Sequence, residues 1–200
     1  RRPVRLDSLR RVSPRAIPCR AMIRTTPFHE RTSALNQTGL WEHWSNHLAA
    51  VRFQMSEKFE YFAIRNAATL YDLTPMVKYR VAGPDAARYL NRLVTRDVSR
   101  LQVNRVAYCV WCDDHGHVID DGTIFRLGEQ EYRLCTAERQ LDWLLDSARG
   151  FDVEVVEITE QVAALALQGP TSYSILRRLC TCFGWACSAP RRSASLIASP

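Results

Sequence analysis

Residues 105–128 read RVAYCVWCDDHGHVIDDGTIFRLG, and this stretch decides how the chain folds. Two largely apolar runs flank the tetrapeptide DDHG, in which Gly116 can take the positive φ that a tight turn requires. The stretch therefore predicts a β-hairpin, with one strand before Asp113 and the other after the turn.

Further strands and helices are predicted on both sides of this hairpin. VKYRVAG (77–83) places Val77, Tyr79 and Val81 at alternating positions, as in a half-buried strand. Other predicted strands are EYRLCT (131–136), FDVEVVEI (151–158) and VAALALQG (162–169). The predicted helices are EKFEYFAIRNAATL (57–70), the segment from Pro84 to Val94, and TAERQLDWLLDSA (136–148).

The apolar residues of these helices recur every three or four positions, which predicts one buried face on each. The buried positions we expect are Phe59, Phe62 and Leu70; Ala87, Leu90 and Val94; and Leu141, Leu144, Leu145 and Ala148. Residues 38–55 show no clean period, and we expect irregular structure before residue 56. The predicted class is α+β, a mixed or antiparallel sheet with helices packed on one face.

Charge divides the chain into three parts. The first 21 residues carry seven arginines and one acid, and residues 171–200 carry four arginines and no acid. Residues 22–170 hold 16 basic and 20 acidic residues, so the body is acidic although the whole chain has a net charge of +6. An acidic body argues against a nucleic-acid-binding protein.

The two ends also differ from the body in composition. Residues 1–21 suit a non-native or disordered basic leader with Met22 as the natural start, but a transit peptide or a functional basic arm are alternatives. Residues 172–200 are rich in Cys, Arg, Ser and Ala without a sustained period, as expected of an irregular, possibly out-of-frame tail. The predicted folded domain is 22–171.

Two motifs resemble metal sites, but strand and turn geometry favours a structural interpretation of both. Cys109 and Cys112 form a CxxC, yet residues three apart on a strand face opposite sides. The residues of DDHG are those that a polar hairpin turn prefers. We predict no metal site, reduced thiols at Cys109, Cys112 and Cys135, and no membrane span, since no apolar run is long enough.

Asp120 and Asp121 differ from the turn residues because they lie inside the second strand. Adjacent strand residues face opposite sides, so one carboxylate should face solvent or an edge and the other the interior. An inward carboxylate is costly unless it has a partner or a function, and capping of backbone amides is the structural alternative.

Four segments in register resemble the N-terminal part of the folate-binding aminomethyltransferase family, which includes the T-protein of the glycine cleavage system. They are LYDLTPM (70–76), VAGPDAARYLNRLVTRDV (81–98), AYCVWCDDHGHVIDDGTIF (107–125) and ALALQGP (164–170). The resemblance covers roughly residues 60–171. It implies a tetrahydrofolate-dependent one-carbon transferase, aminomethyl or methyl, as an incomplete domain.

The resemblance also implies site residues. Asp121 matches the catalytic aspartate that contacts the folate near N10, and Met76, Tyr108 and Phe125 match positions that line the folate channel. An ionised carboxylate there would orient a folate amine and stabilise positive charge at nitrogen. Aromatic rings would provide apolar walls for the flat folate rings.

The sequence departs from the family pattern at two places, and both bear on the donor. Thr74-Pro75 replaces the usual Ser-His before Met76, and GLWEHW (39–44) occupies the place of a Trp-Met-Pro segment. These differences favour relatives with other one-carbon donors, such as demethylases, over glycine cleavage. Expected partners are folate and a donor that is a small molecule or a lipoyl carrier protein.

The sequence also leaves two alternative functions open and predicts a location. A non-enzymatic folate-binding protein of the iron–sulfur assembly type and an inactive fragment are the alternative functions. We expect a cytoplasmic protein, or a mitochondrial one if residues 1–21 are a transit peptide.

Overall fold

The computed structural model describes residues 23–182 and 194–197. The helices are α1 (His29–Leu35), α2 (Glu57–Asn66), α3 (Ala86–Leu93), α4 (Leu141–Ser147) and α5 (Ser172–Cys182). The strands are β1 (Trp41–Trp44), β2 (His47–Ala50), β3 (Thr69–Asp72), β4 (Val77–Ala82), β5 (Val106–Cys112), β6 (Val118–Arg126), β7 (Glu131–Thr136), β8 (Glu154–Glu157), β9 (Ala164–Gln168) and β10 (Ala194–Ile197).

A five-stranded antiparallel sheet in the order β5-β6-β7-β4-β8 organises the chain. The predicted hairpin forms its first two strands, and Gly116 has a φ of 83° in the turn between them. β9 lies between β3 and β10 in a smaller sheet, and β1 pairs with β2 alone. The predicted α+β class with an antiparallel sheet is confirmed.

One face of the large sheet, called here the core face, is covered by α3 and α4. Val77, Tyr79 and Val81 are fully buried there, as their alternation predicted. Helix α3 contributes Leu90 and Tyr89 to the same apolar cluster. The Tyr89 hydroxyl also donates a hydrogen bond to the Leu144 carbonyl oxygen at 2.8 Å, so it ties α3 to α4.

Two expectations for α4 were wrong in detail. The helix begins at Leu141 rather than at Thr136, because the residues between them form a bend in which the Thr136 hydroxyl donates to the Glu138 carbonyl oxygen at 2.5 Å. Leu144 is buried as predicted, but Leu145 is 46% exposed. A helix of only seven residues presents a narrow stripe to the sheet, and Leu145 lies outside it.

Helix α2 begins at Glu57 as predicted but ends at Asn66 rather than at Leu70, and its apolar face is not buried. Phe59 is 65% exposed and Phe62 is 56% exposed. The predicted inward Leu70 belongs to β3 instead and is also 56% exposed. Periodicity thus identified the helix correctly, whereas the burial inferred from it was wrong.

The segment before residue 56, expected to be irregular, contains a helix and a hairpin. Strands β1 and β2 pair from Trp41–Ala50 to Trp44–His47. Ser45 and Asn46 form the two-residue turn with φ values of 43° and 68°, a positive-φ pair typical of tight hairpins. The expectation of irregular structure here was wrong.

Part of the tail predicted to be irregular also has regular structure. Helix α5 begins at Ser172, and β10 pairs antiparallel with β9. Residues 1–22, 183–193 and 198–200 lie outside the described residues, and with them the expected leader and most of the expected tail. Among the described helices, none combines the length and apolar character needed to cross a bilayer.

Candidate functional site

The face of the large sheet opposite α3 and α4, called here the outer face, carries the candidate site. Strand alternation and register place four residues in one row across it: Tyr108, Thr123, Cys135 and Lys78. The next row toward the hairpin turn begins with Val110 and Asp121, and the row on the other side contains Phe125 opposite Arg133. Three of the predicted site residues, Tyr108, Asp121 and Phe125, therefore share one face.

A β-bulge precedes the paired aspartates. Trp111 pairs with Asp120 while Cys112 pairs with Val118, which leaves Ile119 as the extra residue on β6. A bulge bends the strand and changes the direction in which the following side chains point. The bulge therefore helps to set which face each aspartate occupies.

The two aspartates face opposite sides of the sheet, as alternation predicted. Asp121 is exposed on the outer face, whereas Asp120 is half-buried on the side of Trp111. An Asp120 oxygen accepts a hydrogen bond from the Asp121 amide at 2.8 Å, which satisfies a backbone donor beside the bulge. The second Asp120 oxygen is buried without a hydrogen-bond partner among the described residues.

Gly122 follows the aspartates and allows β6 to approach β7 closely. A Cβ atom at this position would lie 2.1 Å from the Cys135 carbonyl oxygen. Any side chain would force the two strands apart beside Asp121. The requirement for glycine here is steric and follows from this close backbone approach.

Tyr108 and Phe125 flank Asp121 on the outer face. Tyr108 is 57% exposed and Phe125 is half-buried. Hydrogen bonding to the Asp121 carboxylate raises the pKa of Tyr108, because loss of the phenol proton would place two negative charges side by side. Tyr108 thus remains a neutral hydrogen-bond donor next to a carboxylate at physiological pH.

Met76 lies at the same end of the sheet as Asp121. Val77, the next residue, pairs with Thr136, and Thr136 pairs with Gly122, so Met76 is level with Asp121 two strands away. At the usual strand spacing their backbones are about 10 Å apart. Met76 is half-buried and ends a turn in which its amide donates to the Leu73 carbonyl oxygen at 3.1 Å.

Lys78 is a functional candidate that sequence reasoning missed. Its side chain is only 1% exposed, and its ammonium donates to the Thr74 carbonyl oxygen at 2.7 Å and the Leu73 carbonyl oxygen at 3.4 Å. Burial lowers the pKa of Lys78 to about 8. The available signal was a lysine between Val77 and Tyr79, two residues that the alternation predicted to be buried, and the strand pattern assigned this lysine no role.

The polar residues of the hairpin turn are held by hydrogen bonds within the turn itself. Asp113 accepts from the amides of His115 and His117, each at 2.9 Å, and these backbone bonds lower the pKa of Asp113. Its other oxygen lies 3.1 Å from the His117 Nδ1 atom. The prediction that DDHG is a turn is confirmed.

Cys109, Cys112 and Cys135 are free thiols, and the CxxC pair is split between the two faces. Cys109 is buried on the core face, where burial raises its pKa to about 12, and Cys112 is half-buried on the other side. Burial also raises the pKa of Cys135 to about 11. Within residues 23–182 and 194–197, no group of three or more His, Cys, Asp or Glu side chains is arranged to hold a metal ion.

The outer face therefore combines one exposed carboxylate, a neutral phenol and an aromatic ring at the end of a rigid antiparallel sheet. This arrangement can bind a flat, partly apolar molecule that bears an amine, because the rings contact its surface and the carboxylate pairs with nitrogen. The arrangement lacks a nucleophile with a neighbouring general base among these residues. Chemistry at this face would accordingly depend on orientation and charge stabilisation.

Comparisons with known proteins identify the family. The family model described as the GCVT N-terminal domain matches residues 27–189. The aminomethyltransferase of Lysinibacillus sphaericus is 32% identical over 162 residues, which are 74% of this chain and 44% of that protein. The aminomethyltransferase of Bacillus cytotoxicus is 37% identical over 128 residues, which are 62% of this chain and 35% of that protein.

A solved structure has the same fold. The glycine cleavage system aminomethyltransferase T from Bartonella henselae matches with a TM-score of 0.72 at 22% identity, over 84% of this chain and 46% of that chain. The chain spans less than half the length of these three relatives. On the family match and the curated relatives, the chain belongs to the GCVT N-terminal domain family, whose curated relatives are aminomethyltransferases.

Proposed function

We propose that this chain provides one wall of a tetrahydrofolate site in a one-carbon transferase, with Asp121 as the catalytic carboxylate. The observation that carries the proposal is the exposed Asp121 carboxylate on an outer face that also presents Tyr108 and Phe125. Membership of an aminomethyltransferase family supports the same chemistry. Met76 extends the proposed folate contact from β6 across to β4.

The residues present fit a reduced folate. Tyr108 and Phe125 offer apolar ring surface for the flat parts of the molecule, and Asp121 offers a negative charge for its amine. Bound folate would supply the nitrogen that accepts the one-carbon unit. Asp121 would orient that nitrogen and stabilise the positive charge that builds on it, and Tyr108 would stand beside the carboxylate as a neutral phenol.

The one-carbon donor is the second part of the proposal. It is an aminomethyl or methyl donor, either a small molecule or a lipoyl carrier protein. Thr74 and Pro75 stand where the family pattern has Ser-His. The Thr74 hydroxyl is hydrogen-bonded to the Ala164 backbone, since it donates to the Ala164 carbonyl oxygen and accepts from the Ala164 amide. The absence of a histidine at position 75 supports a donor other than that of glycine cleavage.

Folate binding to the 200-residue chain provides the first test. We expect weak but saturable binding of 5-formyltetrahydrofolate, a stable folate, by calorimetry, and roughly tenfold weaker binding by Asp121→Asn, which loses a charge-assisted hydrogen bond. Asp120→Asn is the matched control, since its side chain faces the core side and asparagine retains an oxygen to accept the Asp121 amide. Equal losses in the two variants would contradict the role of Asp121.

One-carbon transfer provides the second test and separates an enzyme from a folate-binding protein without activity. Residues 27–171 can replace the matching part of the Lysinibacillus sphaericus aminomethyltransferase. In this chimera Asp121→Asn should lower the transfer rate by about 10²-fold, as loss of a charge-stabilising contact does elsewhere, while the melting temperature changes little. A chimera that binds folate and transfers nothing would favour the non-enzymatic alternative.

A further inference from the structure

Lys78 is buried in the row that contains Tyr108, yet the proposed chemistry does not use it. The side chain is directly opposite Cys135 on β7, and both are almost inaccessible, at 1% and 4% exposure. Burying an ammonium is costly, so a lysine in such a place needs hydrogen-bond acceptors that hold it. Both of the acceptors found here belong to one turn.

That turn, residues 73–76, ends at Met76. The Lys78 ammonium donates to the carbonyl oxygens of Thr74 and Leu73, and the Leu73 oxygen also accepts from the Met76 amide at 3.1 Å. Lys78 and Met76 therefore share an acceptor. The Leu73 carbonyl group therefore links the lysine to Met76.

The other hydrogen bonds of the turn lie in its first half. The Thr74 amide donates to Asp72 at 3.0 Å, and the Leu73 amide donates to the Ala164 carbonyl oxygen at 2.9 Å. Pro75 has no amide hydrogen and cannot hold the second half of the turn. The Thr74 hydroxyl also bonds to the Ala164 backbone, but among the described hydrogen bonds the Thr74 carbonyl oxygen, immediately before Pro75, accepts only from Lys78.

We propose that Lys78 is a positioning residue that holds Met76 level with Asp121 by bracing the turn 73–76. The link to folate rests on the proposed function, whereas the link to Met76 rests on the contacts alone. Removal of the ammonium would free the Thr74 oxygen and allow the turn to shift. Met76 would then no longer lie at the same position along the sheet as Asp121, and its apolar contact with the folate would weaken.

The charge environment of Lys78 gives the proposal a pH signature. Four groups act on the ammonium: Cys135 and Arg133 from β7, Asp72 from the end of β3, and Glu160 from the 3₁₀ turn Thr159–Gln161. Burial outweighs the two acids and lowers the pKa of Lys78 to about 8, while burial raises the pKa of Cys135 to about 11. Between pH 7 and 9 the lysine therefore loses its proton while Cys135 keeps its own.

Methionine-methyl NMR tests the proposal without any ligand, because the chain has only three methionines. With ¹³C-methyl methionine in the full chain, Met76→Leu assigns the Met76 signal. Lys78→Leu removes every donor, and we expect it to move the Met76 signal by more than its linewidth and leave the Met55 signal in place. Arg80→Leu is the matched control, since Arg80 is on the same strand and face but pairs with Glu131 and Glu154.

Two further measurements keep the outcome decisive. In the wild type the Met76 signal should titrate with a midpoint near pH 8, and Lys78→Gln should abolish that titration. This comparison remains possible even if Lys78→Leu does not fold. The dissociation constant for 5-formyltetrahydrofolate should rise roughly tenfold in Lys78→Leu, as expected when a binding contact is displaced.

The possible results separate the two proposals. An unmoved Met76 signal in folded Lys78→Leu, or a wild-type signal that does not titrate, would overturn the positioning role. A wild type that binds no folate, with a Met76 signal that responds to Lys78, would refute the folate site and retain the positioning role.

Discussion

The buried lysine predicts an unusual dependence of stability on pH. The pKa of Lys78 is about 8 in the folded chain against 10.5 for an ordinary lysine, so between these values the unfolded state binds more protons. Stability then rises with pH, since deprotonation relieves the cost of the buried charge. This difference between the two pKa values corresponds to at most about 3.5 kcal/mol, and solvent that reaches the ammonium lowers this figure.

Buried acids with raised pKa values act in the opposite direction at higher pH. Cys109 and Cys135 hold their protons in the folded state to about pH 12 and 11, against 9 for an ordinary thiol, so above pH 9 the unfolded state releases protons first. Their contribution to stability therefore falls as the pH rises through 9. From pH 8 to 9 the lysine adds about 1 kcal/mol to the free energy of unfolding and the two thiols together remove about 0.7 kcal/mol. We therefore expect a net rise of about 0.3 kcal/mol and a peak near pH 9.

Urea unfolding at fixed pH values from 7 to 10, followed by tryptophan fluorescence, measures this curve. Lys78→Leu should remove the rise between pH 8 and 9, whatever its absolute stability. Arg80→Leu should retain the rise, since arginine does not titrate in this range. Parallel curves for the wild type and Lys78→Leu between pH 7 and 9 would refute the assignment of a depressed pKa to Lys78.

Two further predictions concern stability at other positions. Gly122→Ala should destabilise the chain by about 3 kcal/mol or more, because the new Cβ atom would meet the Cys135 carbonyl oxygen. Gly116→Ala should cost only about 1 kcal/mol, because it strains the backbone of a turn with open space around it. Phe62→Ser should cost about 1 kcal/mol because the ring is 56% exposed, while Leu90→Ala in the core should cost about 2 to 5 kcal/mol. Chemical denaturation checks both pairs, and equal effects within either pair would contradict the packing described.

The strands of the large sheet were predictable because local signals and burial agree there. Val77, Tyr79 and Val81 alternate in sequence and are all fully buried. Gly116 supplied the turn that sets the register of the hairpin. The opposite orientation of Asp120 and Asp121 followed from the same period of two.

Other features depend on contacts between distant segments and could not be read from local pattern. Trp41 and Trp44 lie in a short strand whose two ends are half-buried and whose centre is exposed, a pattern without a period of two. Phe59 has helical spacing, but no described segment covers it fully. Lys78 is buried because a turn folds back over the sheet, and a strand pattern contains no information about what covers it.

The bulge at Ile119 separates the hairpin tip from the site. The pairs Trp111–Asp120 and Val110–Asp121 are formed on the sheet side of the bulge, so the register of Asp121 does not depend on the number of residues in the tip. Residues 114–118 are exposed, and exposed polar tips tolerate insertions well. The tip is thus a natural place to insert an epitope tag or a surface anchor, and a chain immobilised there would keep its outer face accessible for ligand screening.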